Sequence, residues 1–204
     1  MLSERLYASA ANVLMRGCGI VARFGLAIYL TKVIGIRAVG EFGLIQGAIA
    51  MGPAFIGFGL NYYLNREIVD LPLRTSGIMV RDRLIVTIAL VLFISAVFAA
   101  GFLTGFFMTM SAPLLIIAIF ALECIASDIH LSLISLRRPL TANFLAFLRS
   151  ALWVAPVATL GFFDQKYRTL NVVLEGWLLC DLLSFVLLIV LTRDLPYREI
   201  IDAR

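Results

Sequence analysis

Apolar residues run continuously through most of this chain, broken by short clusters of Arg, Asp, Pro and Gly rather than alternating with polar positions. Cutting at that punctuation predicts six spans, at about 12–35, 42–64, 84–107, 112–136, 139–162 and 170–192. Each is about 20 residues or longer, the length at which a helix rising about 1.5 Å per residue crosses a hydrocarbon core of about 30 Å. Unbroken runs argue against an outer-membrane barrel, whose strands alternate apolar and polar positions over about 10 residues. The expectation is an all-α fold, a polytopic transmembrane helix bundle in which residues 1–204 form one domain. Connections are short apart from Asn65 to Arg83, so no soluble domain is inserted. The first apolar run is too long for a signal peptide and reads as an uncleaved span.

Composition agrees: 62% of the 204 residues are hydrophobic and the mean hydropathy is +1.00, more apolar surface than a soluble fold hides. The charge balance adds orientation. Seventeen Lys and Arg against 13 Asp and Glu give +4, too small an excess to suggest nucleic acid. With the N-terminus placed in the cytoplasm, that side collects Arg5, Arg66, Arg74, Arg81, Arg83, Arg137, Arg138, Arg193, Arg198 and Arg204. The opposite side holds only Lys32, Arg37, Lys166 and Arg168. The positive-inside rule then puts both termini in the cytoplasm. Cys18, Cys124 and Cys180 lie inside apolar runs without metal-ligand spacing and read as packing residues.

The functional signal is the charge left inside the membrane, where each group would cost about 2.5–3.5 kcal/mol at a helix centre. Arg23, Glu123, Arg149 and Asp181 each stand about 11 residues, hence about 16 Å, into their spans. That is near the midplane. Two readings are open. Arg149 could pair with Glu123 or Asp181 and glue helices together, or the arginines could face a hydrated cavity that takes an anionic substrate while the acids hold them or carry protons. The first span favours a cavity: Asn12, Arg16, Gly19, Arg23 and Ala27 follow helical spacing along one stripe, with Leu14, Val21 and Ile28 on the far side. Arg16 is shallow enough to snorkel to the headgroups. On the fourth span Glu123, Ser127 and His130 share a face, and a Glu with a His could relay protons, although a lone histidine often only hydrogen-bonds a neighbour. Asp128 points elsewhere. Trp153 and Trp177 read as interfacial or packing aromatics, and the second span's Gly43, Gly47, Gly52, Pro53, Gly57 and Gly59 suggest a bent, closely packed or mobile helix. No HExxH, GxSxG, Walker loop or paired-aspartate metal motif is present, so transport stands ahead of catalysis, and neither metal nor cofactor is expected.

One stretch carries a resemblance. LTKVIGIRAVGEFGLIQG, Leu30 to Gly47, followed by FIGFGLNYYLNREI, Phe55 to Ile68, resembles the N-terminal signature of polysaccharide-exporting flippases of the O-antigen and teichoic-acid type. Gly35, Gly40 and Gly43 hold its turn positions. These proteins share a superfamily with the multidrug-and-toxin extrusion antiporters. The six-span pattern and the LRRPLTANFLAFLR stretch, Leu136 to Arg149, are similar to that family's first lobe. The resemblance implies one lobe of a two-lobe transporter in the bacterial inner membrane, exporting polyprenyl-pyrophosphate-linked oligosaccharide for polysaccharide or O-antigen (lipopolysaccharide) biosynthesis. Arg23 and Arg149 would meet the pyrophosphate, Arg16 would gate at the cytoplasmic side, and Glu123, Asp181 and His130 would pair charges or couple protons. The expected partners are the lipid-linked oligosaccharide, membrane lipids, and a second lobe supplied by a missing segment, a partner subunit or a second copy. Two alternatives remain: a cation-coupled exporter of small organic cations or drugs, and a non-transporting membrane subunit whose ion pairs are structural.

Overall fold

The computed structural model of the chain describes residues 2–57, 71–104 and 112–193. Among them there is no strand, and six helices are long and apolar enough to cross a membrane. The protein is an all-α, multi-pass membrane bundle. Helix α1 (Leu2–Tyr29) continues into a π-helical turn, Leu30–Ile34. Helix α2 is Ile36–Gly57, α3 is Leu73–Leu103 and α4 is Pro113–Ser135. The fifth span is α5 (Pro139–Phe147), a π-helical turn at Leu148–Leu152 and α6 (Val154–Phe163). Helix α7 is Leu170–Leu191.

Local chemistry explains the joints. Gly35 has φ 123°, a conformation that L side chains rarely adopt, and its N–H closes the first π turn on the Leu30 carbonyl at 2.8 Å. Between α4 and α5, Arg137 takes a left-handed φ of 61° while the Arg138 N–H returns to the Leu133 carbonyl at 2.8 Å. Pro139 then opens the next helix, where its missing N–H costs nothing.

Four predicted spans match the helices closely, and two are corrected. Span two begins earlier, at Ile36, directly after the Gly35 break, and span three begins before Arg81, Asp82 and Arg83, which the charge pattern assigned to a loop. Helix continues through those charges because Arg83 is neutralised inside the bundle. The far end of span two (58–64), the end of span three (105–107), residues 65–70 of the next stretch and the segment from residue 194 onward lie outside the described residues.

The core gathers where α1, α2, α4, span five and α7 meet, around Tyr29, Leu30, Phe42, Ile45, Ile119, Val173 and Leu174. Trp153 and Trp177 stack there with ring centroids 6.0 Å apart and planes 7° from parallel, and Phe42 packs against both. Both tryptophans are packing residues. Helices α1 and span five run side by side in the same direction: Asn143 Nδ2 donates to Asn12 Oδ1 at 3.0 Å, Gly19 faces Ser150, and Gly161 faces the Tyr29 hydroxyl. The glycines of α2 divide. Gly52 abuts Phe120 and Cys124 of α4, whereas Gly40, Gly43 and Gly47 face open space.

Candidate functional site

The stripe predicted on α1 exists and borders a groove. Arg16, Gly19 and Arg23, with Met15 and Ile20, form one wall of an open cavity of about 390 Å³. Span five supplies Asn143, Ala146, Phe147 and Ser150, and α4 supplies His130. Gly19 and Ala146 bring little side-chain volume, which is what keeps space between two helices that otherwise touch. Arg23 sits at the middle of the span Ala10–Ile34, Arg16 nearer its start. Both are exposed, and among the described residues neither forms an ion pair. Among the described residues no acid lines the groove, so its two guanidiniums set a positive field inside low-dielectric walls, the arrangement that concentrates anions. His130 reaches the groove from α4 with Nδ1 3.1 Å from the Ala142 carbonyl.

Arg149 is elsewhere. It is 7% exposed, and Nη1 donates to Glu123 Oε2 at 2.5 Å. Trp177 Nε1 donates to the other oxygen of Glu123 at 3.0 Å, and Trp153 Nε1 donates to the Arg149 carbonyl at 2.8 Å. The expectation that Arg149 shares a cavity with Arg23 is therefore corrected at the level of helix azimuth: Ala146 and Ser150 occupy the groove face one turn apart. Arg149, within the π turn Leu148–Leu152, points inward to α4. Asp181 follows Trp177 by one turn of α7 and lies against the same pair. It is fully buried, and among the described residues neither carboxylate oxygen accepts a hydrogen bond. Two carboxyl groups thus attend one guanidinium in a dry knot.

Glu123 and His130 share a face of α4, as expected, but serve different places. Glu123 is held in the knot and His130 in the groove, and among the described residues no hydrogen bond links them. A second buried ion pair, which the sequence reading missed, joins Arg83 of α3 to Asp128 of α4, with Thr87 Oγ1 donating to Asp128 Oδ2 at 2.9 Å. The signal was available: Arg83 and Thr87 are four residues apart on one helical face, and Asp128 is a second acid within the fourth span. Among the described residues no group of three or more His, Cys, Asp and Glu side chains gathers at metal-binding spacing, and Cys18, Cys124 and Cys180 are free thiols. Comparison of the chain with models of protein families, with curated proteins and with solved structures gives no match.

Proposed function

We propose that the chain is one lobe of a transporter that moves polyprenyl-pyrophosphate-linked oligosaccharide across the bacterial inner membrane for polysaccharide biosynthesis. Both termini then lie in the cytoplasm, and the second lobe comes from a further segment, a partner subunit or a second copy. The observation that carries this reading is the open cationic groove: Arg23 at mid-span and Arg16 below it, exposed and beside Asn143 and Ser150. A guanidinium facing acyl chains at that depth is costly. One facing a wet chamber shared with an opposing lobe is not, and its planar fork matches phosphate oxygens bidentately. The first stretch of the flippase-like signature, Leu30–Gly47, falls on described residues, and within it the Gly35 turn joins α1 to α2. Within this reading Arg16 and Arg23 touch the pyrophosphate. Arg149, Glu123 and Asp181 position span five, which carries the groove's opposite wall.

The test is complementation. In cells lacking the gene, the chain expressed with its native partner restores surface polysaccharide, and Arg23→Ala at equal membrane abundance abolishes it while lipid-linked intermediates accumulate. Normal polysaccharide with Arg23→Ala overturns the reading.

A further inference from the structure

His130 is the chain's only histidine, and its surroundings assign its two ring nitrogens different work. The Ala142 carbonyl 3.1 Å from Nδ1 can only accept, so Nδ1 carries a hydrogen in every protonation state of the ring. That leaves Nε2 as the nitrogen that gains or loses a proton. The ring lies on the wall of the same groove as Arg16 and Arg23. Around it, α1 contributes those two guanidiniums. Span five contributes Arg149, already tied to Glu123, and α7 contributes uncharged Ser184, Phe185 and Leu188. On its own helix Glu123 is committed to Arg149 and Trp177, and Asp128 to Arg83 and Thr87.

Resting on the anion-binding reading of the groove, we propose that His130 makes that binding proton-linked: a phosphate-type oxoanion held by Arg16 and Arg23 takes up one proton with it, on Nε2. The chemistry follows from the donor inventory. A neutral ring with its hydrogen on Nδ1 presents only a lone pair at Nε2, which repels the oxygen of a fully ionised phosphate or pyrophosphate diester. The protonated ring presents an N–H that donates to that oxygen. The proton comes from a hydronium ion or buffer acid in the solvent at the open mouth of the groove, which leaves as water or conjugate base as the Nε2–H bond forms; no other covalent bond changes, and the ring gains one positive charge. His130 sits near the end of α4 that leads into the Leu136–Arg138 turn, the end the arginine pattern assigns to the cytoplasm. Loading from that side therefore carries a proton into the chamber together with the anion. Release at the far side is favoured wherever the histidine loses that proton.

Sulfate is the probe of choice, because its own charge is constant from about pH 5 to 8 and any proton taken up belongs to the protein. Calorimetric titration of sulfate into the full chain in an uncharged detergent, repeated in two buffers of different ionisation enthalpy, is expected to show uptake approaching one proton per sulfate above the ring's titration range. The affinity should fall up to tenfold per pH unit there. His130→Gln keeps an amide donor but cannot titrate, so its sulfate affinity should be flat with pH and its proton uptake zero. Arg23→Ala should lose sulfate at every pH. Repeating the titration with inorganic pyrophosphate and farnesyl pyrophosphate identifies the source of the anion: tighter farnesyl binding points to a lipid headgroup, equal binding to a free anion. The proposal stands in either case when the proton accompanies the anion. Binding by the wild-type chain without proton uptake, or an unchanged pH slope in His130→Gln, overturns the proton linkage alone. No binding by the wild-type chain at any pH overturns the anion-binding reading as well.

Discussion

The knot around Arg149 makes a prediction with an internal control. Arg149 is 7% exposed and Asp181 fully buried, so neither can be rescued by water. Replacing Arg149 by Met leaves the Glu123 and Asp181 carboxyls facing each other in the core without a cation. Stranding buried charge in this way costs about 3–5 kcal/mol. Glu123→Gln removes the anion 2.5 Å from Nη1 and weakens the Trp177 N–H bond of 3.0 Å, yet Asp181 remains alongside with two oxygens that accept nothing else. Its expected cost is that of a charge-assisted hydrogen bond, about 1.5–3 kcal/mol. Asp181→Asn alone should change stability by less than about 1 kcal/mol, since Glu123 still satisfies Arg149. The double variant Glu123→Gln/Asp181→Asn leaves Arg149 with neither carboxyl group beside it. It should cost more than its two parts together, by about 1 kcal/mol or more. Reversible unfolding of the chain in mixed micelles, followed by far-ultraviolet circular dichroism as the denaturing detergent fraction rises, measures all four. Strict additivity would refute the idea that Asp181 is the reserve counterion, and so would a Glu123→Gln cost equal to that of Arg149→Met.

Two further outcomes follow from packing and from the second ion pair. Gly161→Ala should destabilise the chain by about 1–3 kcal/mol, because the new methyl collides with the Tyr29 hydroxyl where α1 lies on span five. Gly43→Ala and Gly47→Ala, which meet open space, should be neutral or stabilising by up to about 1 kcal/mol in the same unfolding assay. Asp128→Asn should cost about 1.5–3 kcal/mol by removing the carboxylate that pairs with Arg83 in the bundle interior. Replacing Arg83 and Asp128 together by Met and Leu should recover most of that loss, as measured by the same titration.

The sequence was explicit about whatever depends on one dimension. Span number, the Leu136–Arg138 turn and the depth of Arg23 need only hydropathy, a proline and residue counting. The stripe Asn12, Arg16, Gly19, Arg23 was legible because its face is uniformly polar or small on an otherwise apolar helix. What failed was the angle around the axis in span five. Asn143, Ala146 and Ser150 mark the groove face at i, i+3, i+7, but that stripe is short, on a span otherwise apolar on nearly every face, and Arg149 lies beside rather than on it. A π-helical turn at Leu148–Leu152 further breaks the regular count of residues per turn. Arg83 was misplaced for a related reason: charge at a span's edge looks like loop until its partner, 45 residues away on α4, is known.

Both tryptophans of this chain occupy one place, stacked on each other, with one indole N–H on Glu123 and the other on the Arg149 carbonyl. Their ultraviolet fluorescence therefore arises from a single point at the heart of the bundle, beside the charged cluster and behind the groove wall. Any rearrangement that wets or dries that point shifts the emission colour, so the unlabelled protein carries its own optical gauge of whether span five has moved.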